Sequence, residues 1–184
     1  LDALAKVANL VSGTALQLDI TREDAGKVII EHATSRHGKL DIVIHNAGIT
    51  RDKLLANMDT ARWDSVIAVN ISSQLAMNEA FLAAKLPGPR VVSLASTSGI
   101  AGNRGQSNYA ASKGGVIVMV RASAAAFAEA GGSINAVAHR ADVSSGRRTA
   151  AQQLRLGLAH QQSMVGPRRQ CRPPLHRAPD RRHA

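Results

Sequence analysis

The stretch VVSLAS at residues 91–96, followed by a glycine-rich loop and by NYAASK at residues 108–113, decides the fold class. The first six residues predict a strand. The last six begin a long apolar helical pattern, in which Tyr109 and Lys113 stand four residues apart and share one face. A strand that is followed by a helix in this way is typical of α/β proteins.

Segments of the same two kinds alternate through the rest of residues 1–138. Helices are predicted at residues 1–11, from Thr21 as N-cap to about Arg36, from Asp59 or Thr60 to about Lys85, and at about 108–130. His37 and Gly38 are predicted to end the second of these helices. Strands are predicted at residues 14–18, at 91–96 and at 133–138, and LDIVIHNAG at 40–48 is predicted to be a buried strand. This alternation predicts a parallel sheet with helices on both faces and polar residues at one edge.

The composition fits a single domain of ordinary size. The chain has 184 residues, of which 45% are hydrophobic and only 2% aromatic, so the core must consist of aliphatic side chains, as in buried parallel sheets. We find no apolar run near the roughly 18 to 20 residues that a membrane span needs. Cys171 is the only cysteine and cannot form a disulfide within its own chain. We therefore expect a soluble, cytoplasmic protein.

The net charge of +10 lies mostly in the last quarter of the chain. Residues 1–138 contain 13 Lys and Arg against 11 Asp and Glu, whereas residues 139–184 contain ten against two, and all ten are Arg. Four of the six prolines also lie there, so we expect a disordered tail, and we favour a frame-shifted or mis-joined terminus. An Arg-rich nucleic-acid arm is the alternative, but such arms usually interleave Lys, Gly or aromatic residues, and we expect no nucleic-acid partner.

Three side chains carry the predicted chemistry. An ammonium beside a phenol stabilises the phenolate that is left when the phenol gives up its proton. With Lys113 beside it, Tyr109 is therefore a usable proton donor to a carbonyl that is being reduced. Ser96 ends the strand thirteen residues before Tyr109 and could hydrogen-bond the substrate oxygen as charge develops on it. Ser93 and Ser98 are the alternatives, but the strand-end position favours Ser96. A tyrosine and a lysine at this spacing are common by chance, so an ordinary surface pair stays open on this motif alone.

Taken together, NAG at residues 46–48, VNISS around Asn70, Ser96 and YAASK resemble the short-chain dehydrogenase/reductase superfamily in order and spacing. The resemblance implies a Rossmann-like, doubly wound parallel sheet. It implies that Tyr109 is the acid/base, that Lys113 binds the nicotinamide ribose and tunes Tyr109, that Ser96 holds the substrate and that Asn70 anchors a proton-relay water.

The same resemblance suggests where the cofactor lies. Asp19 and Ile20 resemble the pair that lines the adenine pocket, and Asn46, Ala47 and Gly48 resemble the turn beside the adenosine ribose. The family usually has Asn at the position of His45. We interpret this histidine as a packing residue and expect no metal site.

Within the superfamily, NAGITRDKLL at 46–55 and AGNRGQSNYAASK at 101–113 resemble the 3-oxoacyl-[acyl-carrier-protein] reductase branch. This implies NADPH or NADH as cofactor, an acyl thioester of acyl carrier protein or CoA as substrate, and a homodimer or homotetramer for the complete protein. The alternatives are a sister reductase for another carbonyl substrate and a non-catalytic basic protein that binds an acidic partner through its tail.

The resemblance covers residues 1–138 as a partial domain, with residues 139–184 as the separate tail. The family's first two strands, its TGxxxGxG turn and its C-terminal strand are not found, and the first residue is Leu rather than Met. We therefore expect an incomplete sheet. We also expect that this chain neither binds the cofactor tightly nor turns over substrate, although the complete protein would.

Overall fold

The structure, a computed structural model, describes residues 2–139. Its regular elements follow in chain order: α1 (Asp2–Leu10), α2 (Ala25–His37), β1 (Ile42–His45), a 3₁₀ turn (Leu55–Asn57), α3 (Thr60–Ile67), a π-helical segment (Ala68–Ser72), α4 (Ser73–Ala83), β2 (Arg90–Ser96), α5 (Ser98–Ala101), α6 (Ser107–Glu129) and β3 (Ser133–His139). Residues 140–184 lie outside the described residues, and so do the predictions made for the tail.

The three described strands form one parallel sheet in the order β1-β2-β3. Ile42 lies beside Arg90, and Arg90 lies beside Ser133, so the three strands begin level with one another. The helical stretch α3–α4 connects β1 to β2, and α6 connects β2 to β3. The predicted parallel α/β class is confirmed, as are the strands at 91–96 and 133–138. The buried strand predicted at 40–48 is shorter and spans Ile42–His45. It is not buried, because β1 lies at the edge of the described sheet, and Ile42 and Ile44 are 54% and 63% exposed.

Two predicted helix ends are confirmed by their capping geometry. Asp59 accepts a hydrogen bond from the backbone N–H of Arg62 at 2.8 Å and so caps the start of α3. At the end of α2, Gly38 takes a left-handed conformation with φ of 78°, which a residue with a side chain rarely adopts. Between Thr60 and Ala83 the chain is helical throughout, but the π-helical segment interrupts the α-helical geometry.

Two predictions near the N-terminus are wrong. Residues 14–18 form no strand, because no described strand lies beside them to supply hydrogen bonds, and the Thr14 hydroxyl instead bonds His32 and His37 of α2 at 2.8 and 2.9 Å. Thr21 does not cap α2, which begins four residues later at Ala25. The backbone N–H and hydroxyl of Thr21 both donate to Asp19 instead.

The hydrophobic core lies between the sheet and the helices α4 and α6. Its members are fully or almost fully buried: Met77, Phe81, Val91, Met119, Val120, Phe127 and Ile134. Both phenylalanines of the chain belong to it, and each is completely inaccessible to solvent. The core therefore fixes α6 against β2, and with it the position of every polar group near the start of α6.

Helix α6 corrects the expectation that no segment is long and apolar enough to cross a membrane. By length and composition alone Ser107–Glu129 is such a segment, and 33% of its most apolar window is buried. The core helix of a soluble protein meets the same criteria. Here α6 contributes Met119, Val120 and Phe127 to the core, which accounts for part of its apolar character.

We predict that Phe81→Ala lowers the free energy of unfolding by about 3–5 kcal/mol, because it opens a cavity in a fully buried site. Leu75→Ala is the matched control on the same helix. Since Leu75 is 44% exposed, its loss should cost at most about 0.5–1 kcal/mol. Urea denaturation followed by the fluorescence of Trp63, the only tryptophan, measures both. Equal costs for the two variants would contradict this placement of the core.

Candidate active site

A cleft of about 850 Å³ opens at the C-terminal ends of β1 and β2. Parallel α/β sheets bind ligands at this edge, because the loops that follow the strands diverge there. Five of the predicted site residues line the cleft: Asn46, Gly48, Ser96, Tyr109 and Lys113. The structure therefore brings Ser96, Tyr109 and Lys113 to one cleft, and it places there two of the residues predicted to lie beside the adenosine ribose.

Lys113 lies at the floor of the cleft and is only 4% exposed. Its Nζ donates to the backbone carbonyl of Leu94 at 2.6 Å and lies 5.8 Å from the centre of the Tyr109 ring. Burial lowers the pKa of Lys113, since an ammonium loses hydration there. The lysine thus holds a poorly hydrated donor group within reach of both the tyrosine and any ligand in the cleft.

Ser96 ends β2 and is almost completely buried. Its Oγ accepts a hydrogen bond from the backbone N–H of Ser98 at 3.2 Å, which leaves its own proton free to point elsewhere. The next turn packs closely on α6, because a Cβ on Gly99 would lie 2.5 Å from the backbone nitrogen of Gly114. Only a glycine permits this contact, which holds Ser96 and Lys113 on neighbouring sides of the cleft.

Asn70 lies behind the cleft, completely buried in the π-helical segment. Its Oδ1 accepts from the N–H of Ile49 at 2.8 Å, and its Nδ2 donates to the carbonyl of Ile49 and to Ser112 Oγ. A Cβ on Gly48 would lie 3.3 Å from Asn70 Oδ1 and 3.7 Å from Lys113 Nζ. The amide of Asn70 therefore fixes the loop after β1, and Gly48 leaves room for both polar groups.

Three of the predicted cofactor residues, Asp19, Ile20 and Ala47, do not line this cleft. Ile20, Asn46 and Ala47 line a second cleft of about 310 Å³ between α2, β1 and α4. Asp19 lines neither cleft and is exposed, and the hydrogen bonds from Thr21 lower the pKa of its carboxyl. Asn46 lines both clefts and so connects them. The assignment of these residues to an adenine and ribose pocket stays a prediction.

His45 at the end of β1 makes a polar contact that the sequence did not indicate. Its Nε2 lies 2.9 Å from Asn78 Oδ1 of α4, and because an amide oxygen can only accept, the histidine donates. Burial lowers the pKa of His45, and the bond to Asn78 offsets this in part. Among the described residues no group of three or more His, Cys, Asp or Glu side chains could hold a metal ion.

Sequence reasoning missed two further buried amides near the site. Gln74 donates through Nε2 to the backbone carbonyl of Asn70 at 2.9 Å, within the helical stretch that the π-helical segment interrupts. Asn108, directly before Tyr109, makes three hydrogen bonds although it is completely buried. The signal for Asn108 was its adjacency to the predicted acid, whereas nothing in the sequence pattern marks Gln74.

Residues 2–148 match the family model described as short chain dehydrogenase. Among curated proteins, the chain is 38% identical over 142 residues to the 3-oxoacyl-[acyl-carrier-protein] reductase FabG of Thermotoga maritima, an alignment that covers 75% of this chain and 58% of that protein. It is also 38% identical over 122 residues to Nodulation protein G of Azospirillum brasilense, covering 65% of this chain and 50% of the relative.

A solved structure gives the same result for the fold. The crystal structure of a short chain dehydrogenase from Mycobacterium smegmatis superposes with a TM-score of 0.69 at 31% identity and covers 74% of this chain and 59% of that chain. The predicted Rossmann-like arrangement, incomplete in this chain, is thereby confirmed. The chain spans little more than half the length of the relatives it matches.

We predict that the free energy of unfolding falls as the pH drops from about 7 towards 5, in part because of His45. Its folded pKa is lowered from the ordinary value of 6.5, so the unfolded chain takes up the proton first and is favoured in acid. This contribution to stability is present above about pH 6.5 and is lost below it. Urea midpoints of the wild type and His45→Asn, measured across this range, test the assignment. The variant should show a shallower dependence, and parallel curves would contradict it.

Proposed function

The chain belongs to the short chain dehydrogenase family, and on that premise we propose that it is part of a nicotinamide-dependent reductase of 3-oxoacyl thioesters. The observation that carries this proposal is the meeting of Ser96, Tyr109 and Lys113 at one cleft, with Asn70 fixing the loop beside it. A phenol, a hydroxyl and an ammonium around one open space are the groups that carbonyl reduction needs.

In the proposed reaction the ketone oxygen of the substrate lies between Ser96 Oγ and the Tyr109 phenol. A bound NADPH or NADH would supply the hydride to the carbonyl carbon. As the electrons of the C=O bond move onto oxygen, Ser96 donates a hydrogen bond to the developing charge, and one such donor lowers the barrier by about 3 kcal/mol. Tyr109 then gives its proton to the alkoxide, and the buried ammonium of Lys113 stabilises the phenolate that remains.

The residues present fit one end of a nicotinamide cofactor. Gly48 leaves open space beside Lys113 Nζ, and the ammonium can bind ribose hydroxyls there. The pyrophosphate requires backbone N–H groups at a helix N-terminus after a glycine-rich turn, and the printed sequence contains no Thr-Gly pair with which a TGxxxGxG turn could begin. The proposed assignment of Asn70, Ser96, Tyr109 and Lys113 as catalytic residues therefore concerns the nicotinamide end alone.

The choice of substrate rests on the reductase named among the relatives. The Thermotoga maritima protein is named a 3-oxoacyl-[acyl-carrier-protein] reductase, and we propose an acyl thioester of acyl carrier protein or CoA for this chain as well. Nodulation protein G, whose name gives no substrate, is equally similar over a shorter alignment. The competing proposal is a reductase of the same family for another carbonyl substrate. We further propose a cytoplasmic location with no membrane insertion.

We propose that the complete protein is a homodimer or homotetramer that uses α4 and α6. Leu75 on α4 and Val118 on α6 are large apolar side chains, 44% and 64% exposed. A helix that faces only water carries few such residues, whereas a helix that packs against a second copy of the chain requires them.

We predict that Tyr109→Phe lowers the turnover of acetoacetyl-CoA by a factor of about 10²–10⁴, because the proton donor is lost. The protein for this assay is a chimaera in which residues 1–138 replace the matching part of the Thermotoga maritima reductase. Reduction is followed by the disappearance of NADPH or NADH absorbance. Cofactor affinity should be nearly unchanged, and retained turnover would refute the role of Tyr109.

Ser96→Ala in the same chimaera should lower turnover by about 10²–10³. Ser93→Ala is the matched control, because Ser93 lies in the same strand, is completely buried and does not line the cleft. A larger loss for Ser93→Ala than for Ser96→Ala would mean that the wrong serine has been assigned.

We predict that the 184-residue chain alone binds neither NADPH nor NADH with micromolar affinity, since α2, whose first turn lines the second cleft, does not begin after a glycine-rich turn that could hold the pyrophosphate. Titration of Trp63 fluorescence with each nucleotide measures this. The chimaera, which contains such a turn if the relative follows the family pattern, is the positive control. Saturable micromolar binding by the chain alone would show that its own residues suffice.

A further inference from the structure

Asn108 connects the start of α6 to two other parts of the chain. It is completely buried, and its side-chain oxygen accepts a hydrogen bond from the backbone N–H of Tyr109 at 2.8 Å. That N–H lies in the first turn of α6, where backbone donors have no partner within the helix. Asn108 thus satisfies the amide of the residue whose phenol faces the cleft.

The other end of the same side chain binds two carbonyls. Asn108 Nδ2 donates to the carbonyl of Arg51, in the loop after β1, at 3.1 Å and to the carbonyl of Arg62, in α3, at 3.3 Å. One amide therefore ties three backbone segments together directly beside Tyr109. The three contacts need one acceptor and two donors, which among side chains of this size only Asn provides.

Contacts on either side strengthen this connection. The N–H of Lys53 donates to the carbonyl of Gly105 at 2.8 Å, and Gln106 Nε2 donates to Asp52 Oδ2 at 2.8 Å. Residues 51–53 and 105–108 thus form a hydrogen-bonded seam, which we call the entry seam. It leads into the first turn of α6, so a shift in the seam moves the backbone of Tyr109.

We propose that Asn108 is a positioning residue that fixes the Tyr109 phenol by anchoring the first turn of α6 to the entry seam and to α3. The Tyr109 ring is only partly buried, and the cleft on its open side cannot hold it in place. Its orientation must therefore come from its backbone and from Lys113. The importance of Asn108 for catalysis rests on the proposed role of Tyr109. The positioning of Tyr109 by Asn108 does not depend on that role.

The chain permits a direct test because Tyr109 is its only tyrosine. When ring-¹³C tyrosine is incorporated into the full 184-residue chain, every labelled ring signal comes from Tyr109. Asn108→Ser replaces the amide by a shorter hydroxyl, which has one donor and cannot reach both carbonyls, and it should shift or broaden these signals beyond the wild-type line width. Asn78→Ser is the matched control, since it also removes a buried, hydrogen-bonded asparagine but one that bonds His45. It should leave the Tyr109 signals in place.

The proposal is overturned if the folded Asn108→Ser chain gives wild-type tyrosine signals, or if Asn78→Ser moves them equally. Should Asn108→Ser fail to fold, hydrogen exchange in the wild type decides, because ¹⁵N-tyrosine labelling gives a single amide peak. Tyr109 N–H should exchange at least tenfold more slowly than an unprotected amide, and exchange at the unprotected rate would refute the bond to Asn108. Neither measurement uses cofactor or substrate, so a failure of the proposed function would appear separately, as retained turnover by Tyr109→Phe.

Discussion

The burial of the Lys113 ammonium is the constraint on which the rest of the site depends. A charged group that is only 4% exposed needs an acceptor, and the carbonyl of Leu94 supplies it at 2.6 Å. This bond links the first turns of α6 to β2. The later turns of α6 are held against the sheet by the hydrophobic core. The glycine at 99 follows from the same constraint, since a Cβ there would lie 2.6 Å from the backbone carbonyl carbon of Lys113.

The fold could be predicted wherever a segment carries its own signal. A buried central strand such as β2 is an apolar run whatever its neighbours, and the ends of α2 and α3 are set by a glycine and an aspartate whose effects are local. Residues 14–18 have a strand-like sequence but no described strand to pair with, and β-structure is a property of pairs. The segment instead uses Thr14 to bind two histidines of α2, a contact that periodicity cannot reveal.

The residues that line the cleft could be predicted from the sequence, but the buried contacts that hold them in place could not. Ser96, Tyr109 and Lys113 have fixed spacing around one strand-loop-helix unit, so their convergence follows from local geometry. Asn70 could be located in a helix, but neither the π-helical segment that contains it nor its hydrogen bond to Ile49 could be inferred from the local pattern. Asn108 bonds Arg62 and Arg51, which lie 46 and 57 positions before it in the sequence. Contacts between such distant residues depend on how all the elements pack.

The two ends of a dinucleotide place different demands on a protein, and this chain meets them unequally. The reacting end needs side chains in a defined arrangement, and under the proposed function β2, α6 and the loop after β1 would provide it. The pyrophosphate needs unpaired backbone N–H groups at a helix N-terminus, and the described helix nearest to the second cleft, α2, follows no strand. The edge of β1 away from β2 has no described partner, and there Ile42 and Ile44 are 54% and 63% exposed. An apolar strand edge of this kind is costly to leave in water, so it lowers the stability of the sheet.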